Sequence, residues 1–140
     1  VQSARIEFRG ASPHQTLLAE YGDIDIALDT FPYNGGLTTC EALWMGTPVI
    51  TLLGNRIISR QTAGMLEAVG LGGFVASDAG EFAAIGQHWS QHREQLNDLR
   101  LGLRQRMAAS PLTDGAAYAA DFEAHLQRIW AAYQAAHGEA

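Results

Sequence analysis

The chain has 140 residues, of which 47% are hydrophobic and 17% charged, and this composition fits one globular domain rather than a disordered tail. Its formal net charge is −6 with neutral histidines, and its nine positive side chains are all arginine, which excludes a basic nucleic-acid footprint. The single Cys40 excludes an intrachain disulfide framework and a multi-cysteine metal cluster, and no apolar run is long enough to span a bilayer.

These exclusions predict a cytoplasmic protein that contacts neither nucleic acid nor membrane. The chain begins with Val1 rather than Met and enters a strand-like pattern almost at once. We therefore expect a piece of a longer protein. No repeat, low-complexity stretch or linker interrupts the sequence.

Short apolar, β-branched segments alternate with helical patterns in the first half of the chain. The predicted strands are residues 4–8, 24–28, 48–53 and 74–76, and the predicted helices are residues 14–20, 39–45 and 60–69. Gly46 and Gly70 fit the position after a helix where a left-handed residue is favoured. The alternation predicts a parallel sheet covered by helices, with right-handed crossovers.

The second half of the sequence is helical. Asp78 and Glu81 have the spacing of a capping pair, and apolar residues then recur at helical spacing in three segments. The recurring residues are Phe82, Ile85 and Trp89; Leu96, Leu99, Leu103 and Met107; and Tyr118, Phe122, Leu126, Trp130 and Tyr133. The pair Ser110-Pro111 separates the last two segments. We expect one α/β domain with helical packing at its C-terminal end.

Three loops leave the carboxyl ends of the predicted strands, where open parallel sheets bind ligands. They are residues 9–14, 30–37 and 54–59, and we expect them to converge on one crevice. Asp29 ends the second predicted strand and is placed to cap the loop that follows it.

The middle loop carries the clearest ligand signal. Asn34, Gly35 and Gly36 allow backbone conformations in which main-chain N–H groups approach a ligand closely. A helix begins behind them, and its free N–H groups and positive dipole end attract an anion. Thr38 and Thr39 add hydroxyl donors, so the loop predicts a phosphate site.

Glu41 has two interpretations. Its carboxylate can reach sideways and accept hydrogen bonds from the two vicinal hydroxyls of a ribose, so that a nucleotide satisfies the whole loop. The pattern Thr38-x-x-Glu41 is also a capping box, in which the glutamate bonds a free backbone N–H. Spacing alone favours the capping box.

Other polar candidates are weaker. His14 lines a base pocket in one interpretation and lies on the surface in the other. Arg56 and Arg60 can meet a diphosphate, although a solvated arginine is the commoner case. Four histidines on helical segments lack a third metal ligand, so we expect no metal: His88, His92, His125 and His137.

Several residues near the glycines are predicted to be core: Cys40, Leu43, Trp44 and Met45. The sequence contains neither a G-x-G-x-x-G motif nor a lysine-bearing P-loop. A receiver-type signalling domain is a rival because Asp29 ends a strand, but such domains need a lysine and this chain has none.

The segment DIALDTFPYNGGLTTCEALWMGTPVITL resembles the C-terminal catalytic half of the O-GlcNAc transferase and SPINDLY family, which is usually found behind tetratricopeptide repeats. The resemblance continues through GNRIISRQTAGMLEAVGL, LRLGLRQRMAASPLTD and FEAHLQRIW, in the order of the family. It therefore covers nearly the whole chain.

The resemblance implies a GT-B glycosyltransferase, in which two Rossmann-like domains face each other. Residues 1–140 correspond to the C-terminal domain that holds the donor nucleotide, and the helix of residues 113–138 is expected to pack on a partner domain that this chain lacks. Family members transfer a sugar with inversion to a Ser or Thr hydroxyl, without a bound metal or separate cofactor. UDP-GlcNAc is the commoner donor, and plant SPINDLY relatives use GDP-fucose.

The resemblance also implies roles for individual residues. The Gly35-Gly36 loop and Thr38 are expected at the diphosphate, Glu41 at the ribose and His14 beside the base. The full set of expected donor-binding residues is Asn34, Gly35, Gly36, Leu37, Thr38, Thr39, Glu41, His14 and Arg60. No catalytic residue is expected here, because the family's lysine and its proposed catalytic bases lie upstream, so the chain alone should be inactive.

Two positions depart from the family. Leu37 stands where bacterial relatives commonly have a threonine, and Gly36 stands where the animal enzymes have a histidine. A non-catalytic nucleotide-binding or interaction module is therefore the alternative function. An exposed aromatic face on the last helix, around Trp130 and Tyr133, also predicts a homodimer.

Overall fold

The computed structural model describes residues 2–137 of the chain. Helices and short strands alternate through the first half of the chain, as predicted. Their bounds are α1 His14–Glu20, β1 Ala27–Leu28, α2 Leu37–Trp44, β2 Val49–Leu52, α3 Gln61–Ala68, β3 Val75–Ala76, α4 Ala79–Gln91, α5 Arg93–Ala108 and α6 Gly115–His137.

The three strands form a parallel sheet in the order β1-β2-β3. Ala27 aligns with Val49, and Thr51 aligns with Val75. The central strand β2 is a β-branched run that is buried on both faces, as parallel strands covered by helices require. This parallel sheet with flanking helices confirms the predicted α/β fold class.

Helices α2, α3 and α4 pack against β2, and α5 packs against α2. The core between them includes four side chains with no exposed surface: Leu43, Ile50, Leu66 and Leu103. Truncating one such leucine to alanine costs about 2–5 kcal/mol of stability, because a cavity remains where the methyl groups were. This core fixes the sheet edge from which the predicted ligand loops leave.

The strand predicted at residues 4–8 is wrong. Ser3–Arg5 forms a 3-10 turn, and Ile6 and Phe8 are 50% and 91% exposed. The alternation of Ile6 and Phe8 is compatible with a strand, but no strand of the described residues lies beside it to supply hydrogen bonds or burial. The other predicted strands are present but shorter.

The residues after the glycines also differ from prediction. Helix α2 begins at Leu37 with Gly36 as its N-cap, and no side chain caps it. Trp44 is 39% exposed instead of core, and the guanidinium of Arg104 lies over its ring, 5.2 Å from the ring centroid. Cys40 is half-buried. The pKa of its thiol is raised, mainly by burial and to a smaller extent by the charge of Glu41.

The predicted helix ends are confirmed at both glycines and at the first turn of α4. Gly46 and Gly70 have φ of 83° and 72°, the left-handed region that favours glycine. Asp78 Oδ1 accepts a hydrogen bond from the Glu81 N–H at 2.8 Å, and Glu81 Oε2 accepts from the Ser77 N–H at 2.7 Å. The Ser77 hydroxyl donates to the same oxygen at 2.6 Å, and the two Ser77 hydrogen bonds, the hydroxyl's first, lower the pKa of Glu81.

Helix α6 has the predicted aromatic stripe but lies apart from the core. Every residue from 115 to 137 is exposed, so the expected bare face around Trp130 and Tyr133 is confirmed, and the helical packing at the C-terminal end of the domain does not include α6. Tyr118 stacks on Phe122, and Trp130 stacks on Tyr133. The predicted helix of residues 113–138 reaches residue 138, which lies outside the described residues. Among residues 2–137, none of the helices is both long and apolar enough to cross a membrane.

Candidate functional site

The three predicted loops meet at the carboxyl edge of the sheet. The Asn34 N–H donates to the Ile58 carbonyl at 3.0 Å, which joins the second loop to the third. His14, at the end of the first loop, places Nε2 at 2.8 Å from Oε1 of Glu41 in α2. The structure therefore brings these loops together around the start of α2.

Asp29 caps the middle loop, as predicted. Its Oδ1 accepts hydrogen bonds from the Gly35 N–H at 2.8 Å and from the Thr30 N–H at 3.0 Å. Its Oδ2 accepts from the Thr51 hydroxyl on β2 at 2.7 Å. One carboxylate thus ties both ends of the loop to the central strand.

Gly35 is required by close packing. A Cβ at this position would lie 2.6 Å from Thr39 Oγ1 and 2.9 Å from Thr38 Oγ1, distances that real Cβ atoms do not adopt. Gly36 is different, because a Cβ there would meet only Gln61 Oε1, at 3.7 Å. The first glycine therefore lets the loop lie against the first turn of α2.

Three backbone N–H groups at the start of α2 have no acceptor within residues 2–137: those of Gly36, Leu37 and Thr38. The hydrogen bonds of the helix begin with the Thr39 N–H, which donates to the Gly36 carbonyl at 3.1 Å. Free amides at the positive end of a helix form an anion site. The Gly35 N–H is not among them, since Asp29 accepts it.

The side chains of Asn34 and Thr39 are buried, and for Thr39 this differs from the hydroxyl donor that the sequence predicts. Asn34 is 1% exposed and donates from Nδ2 to the Thr30 carbonyl at 3.1 Å, and its Oδ1 has no partner among the described residues. Thr39 is 3% exposed, and its hydroxyl pairs with that of Thr62 at 3.1 Å. Both side chains hold the loop in place from inside.

The neighbouring Thr38 and Leu37 face outward. Thr38 is exposed, and its carbonyl accepts a hydrogen bond from the Tyr21 hydroxyl at 3.2 Å. Leu37 is 74% exposed, so only its backbone N–H is available for polar contact. Of the two threonines in the motif, the structure therefore offers one hydroxyl to solvent.

The capping-box interpretation of Glu41 is wrong. Gly36 is the N-cap of α2, and the Glu41 carboxylate pairs with His14 instead of with a backbone N–H. The side chain of Glu41 is only 12% exposed, whereas that of His14 is 66% exposed. The pKa of the Tyr21 hydroxyl is also raised, mainly by burial and to a smaller extent by the charge of Glu41. Glu41 is therefore a largely buried carboxylate one turn behind the free amides.

Arg60 supports the third loop. Its Nη1 donates to the Gly54 carbonyl at 3.0 Å, and the residue is exposed. Arg56 is exposed as well, and its backbone N–H donates to the Ser59 hydroxyl at 3.1 Å. Arg60 thus contacts the backbone of the third loop in this structure.

A cavity of about 200 Å³ lies beside the middle loop, and its lining includes Tyr21, Asp29, Thr30, Gly35 and Thr38. A larger one, of about 440 Å³, lies at the start of α5 and near Asp25, away from the free amides. The site at α2 is shallow and open on one side. Sequence reasoning did not identify the contributions of Tyr21, Thr51 and Thr62, whose hydroxyls act only after folding brings them to the loop.

Comparison with known proteins matches residues 1–122 to Glycosyl transferase family 41. The chain is 38% identical over 113 residues to a Petunia hybrida protein named "Probable UDP-N-acetylglucosamine--peptide N-acetylglucosaminyltransferase SPINDLY", and this match covers 81% of the chain and 12% of that protein. A Caenorhabditis elegans UDP-N-acetylglucosamine--peptide N-acetylglucosaminyltransferase is 30% identical over 110 residues, which is 79% of the chain and 10% of that protein.

Among solved structures, a Thermobaculum terrenum O-GlcNAc transferase mutant superposes with a TM-score of 0.78 at 38% identity, over 85% of this chain and 23% of that one. This match confirms the predicted fold, a Rossmann-like half-domain of a GT-B glycosyltransferase. The chain spans about an eighth of the length of the curated SPINDLY relatives, at 12%. By sequence and by fold, the chain belongs to Glycosyl transferase family 41.

Proposed function

We propose that this chain is the part of a protein O-glycosyltransferase that binds the donor nucleotide sugar. The parent protein transfers GlcNAc from UDP-GlcNAc to Ser or Thr hydroxyls with inversion, and GDP-fucose is the less favoured donor. Support comes from the family and from the names of its relatives. The observation that carries the proposal is the row of three free amides at α2, one turn ahead of a largely buried carboxylate.

The free amides take the diphosphate of the donor. Gly36, Leu37 and Thr38 donate their N–H groups, and Thr38 adds its exposed hydroxyl. As the sugar leaves, negative charge develops on the diphosphate, and preorganised amides with the positive end of α2 stabilise it. No metal is needed for this electrostatic role.

Glu41 takes the ribose of the nucleotide. His14 occupies Oε1, which leaves Oε2 to accept from the ribose hydroxyls. His14 is exposed beside this carboxylate, where the base of the nucleotide can lie against its ring. Arg60, which contacts the backbone of the third loop, is a further donor-binding residue of the proposal.

The remaining parts of the enzyme lie outside this chain. Residues 1–140 form the C-terminal half of the catalytic region, and the acceptor protein is bound by the part that the relatives have in addition. The chain alone binds donor weakly, because one wall of the site is open, and turns over no substrate. The proposal places the protein in the cytoplasm, where its one free cysteine stays reduced.

Helix α6 packs against that additional part in the parent protein. Its apolar face includes Leu126, Ile129, Trp130 and Tyr133, which line an open hollow of about 450 Å³. In the isolated chain the same face remains in water, so two copies associate through it. The homodimer is thus a property of the isolated chain.

The alternative function is a non-catalytic module that has kept the fold. The exposed Leu37 favours it, because an apolar side chain lies where a hydroxyl donor would help a diphosphate. Transfer of GlcNAc to a protein acceptor by the full-length parent distinguishes the two functions. Donor binding without any transfer supports the module.

Calorimetry with UDP, GDP, UDP-GlcNAc and GDP-fucose tests donor binding by this chain. We expect weak binding of uracil nucleotides, reduced about tenfold in Glu41→Ala because a ribose contact is lost. Glu94→Ala is the matched control, since Glu94 is an exposed glutamate on α5. If wild type and Glu41→Ala bind nucleotide equally well, Glu41 is not part of the site. If wild type binds no nucleotide, the proposed function is contradicted.

A further inference from the structure

We infer that Asp29 is a positioning residue for the diphosphate loop: it contacts no donor atom itself but fixes which backbone amides face the donor. This inference rests on the proposed function, since it concerns the same site. It assigns a role to a side chain that lies behind the loop.

The Asp29 carboxylate is held from the sheet side. Its Oδ2 accepts from the Thr51 hydroxyl at 2.7 Å, and Thr51 is fully buried in the central strand β2. A side chain anchored to the best-packed strand of the core has a fixed orientation. The other oxygen, Oδ1, is therefore presented to the loop at a fixed point.

Both backbone polar groups of Gly35, its N–H and its carbonyl, form hydrogen bonds with side chains. Asp29 Oδ1 accepts its N–H at 2.8 Å, and the Thr62 hydroxyl donates to its carbonyl at 3.1 Å. Thr62 is fully buried and lies in α3. A glycine has the widest backbone freedom of any residue, so these two hydrogen bonds restrict the backbone conformation at the position that would otherwise be the least constrained.

Fixing Gly35 fixes the first turn of α2. Gly35 lies directly against the hydroxyls of Thr38 and Thr39, closer than any larger residue could. Since Asp29 takes the Gly35 N–H, the anion site consists of the next three amides in the chain. Asp29 thereby sets both the direction and the number of the donors that a diphosphate meets.

Charge argues for a positioning role rather than a binding role. An ionised carboxylate near a diphosphate repels it, so Asp29 adds no attraction of its own. Asparagine at this position keeps Oδ1 as an acceptor for the two N–H groups, and its amide can donate to the Thr51 oxygen. Asp29→Asn should therefore preserve the loop, and Asp29→Ala should release it.

The test compares UDP with uridine as probes of the 140-residue chain, by calorimetry and by ¹H–¹⁵N NMR. In Asp29→Ala we expect UDP affinity to fall about tenfold while uridine affinity is unchanged, because only the diphosphate contacts depend on the loop. Asp29→Asn should stay within about threefold of wild type for both ligands. A variant that is merely less well folded loses both ligands together, so the ratio of the two affinities separates positioning from a folding defect.

Thr51→Val serves as the second variant if Asp29→Ala does not fold, because it keeps the shape of the strand but frees the carboxylate to rotate. This variant should also bind UDP more weakly than wild type and bind uridine as well as wild type does. Unchanged UDP affinity in Asp29→Ala, or equal losses of UDP and uridine, overturns the inference. Wild type that binds uridine but not UDP also overturns it, whereas wild type that binds neither contradicts the proposed function and this inference with it.

Discussion

The Nε2 atom of His14 lies 2.8 Å from Oε1 of Glu41, although 27 residues separate them in the sequence. This contact joins the first turn of α1 to α2 and holds a largely buried carboxylate through an exposed imidazole. It occupies one oxygen of Glu41 and leaves the other for a ligand. The direction of the Glu41 side chain therefore depends on a residue from a different loop.

Replacing His14 tests this dependence. His14→Ala removes the hydrogen-bond partner of Glu41 Oε1, so we expect uridine affinity to fall about threefold to tenfold as the carboxylate loses its orientation. His14→Gln can still donate to Oε1 and should recover most of the affinity. Calorimetric titration of the three proteins with uridine checks this, and wild-type affinity in His14→Ala would show that Glu41 is oriented without it.

The two adjacent glycines should differ sharply in their tolerance of alanine. A Cβ on Gly35 collides with two threonine hydroxyls, whereas one on Gly36 has room. We expect Gly35→Ala to lower the free energy of unfolding by about 1–3 kcal/mol and to abolish UDP binding, since the first turn of α2 must shift. Gly36→Ala is the control and should stay near wild type in stability. Urea denaturation measures both, and equal stabilities would contradict the close packing at Gly35.

The Ser77–Glu81 contact predicts a pH-dependent contribution to stability. Hydrogen bonds from Ser77 lower the pKa of Glu81 below the ordinary value of a glutamate. For an acid with a lowered folded pKa, the stabilisation is present above the unfolded value and is lost as the pH falls through the folded value. Wild type should have a higher Tm than Glu81→Gln at about pH 7, and the difference should shrink and vanish as the pH falls through the lowered pKa of Glu81. A difference that persists at the acid end would show another origin.

Helix α6 should drive association of the isolated chain. Its aromatic face is exposed, so sedimentation should show a dimer that forms as concentration rises. Trp130→Glu places a charge in this face and should weaken the dimer at least tenfold. Ala131→Glu is the matched control, because helical periodicity places Ala131 on the far side of the helix. A strict monomer at every concentration contradicts the homodimer.

Much of the fold follows from local pattern. The bounds of α1 and the position of β2 are predictable because helical periodicity and a β-branched run are strong local signals. Asp29 is recognisable as a loop cap because it ends a strand before a turn-forming segment. The strand predicted at residues 4–8 does not form, because a strand depends on a neighbouring strand, which local pattern does not report.

The site is predictable only in part. The free amides follow from a diglycine before a helix. Which of Thr38 and Thr39 faces outward depends on where α2 begins, because one residue rotates a side chain by more than a quarter turn around the axis. The partner of Glu41 could not be inferred, since spacing favoured a backbone cap and the actual partner, His14, comes from a distant segment.

We expect a diphosphate to bind the free amides at the start of α2. The most direct measurement is a ¹H–¹⁵N NMR titration of the labelled chain with UDP. We expect the amide signals of Gly36, Leu37 and Thr38 to shift most and to saturate together, while the signal of the Gly35 amide, which is bonded to Asp29, moves less. Saturable shifts that leave these three signals in place and instead cluster around Arg93 and Arg100, at the larger cavity, would contradict this expectation.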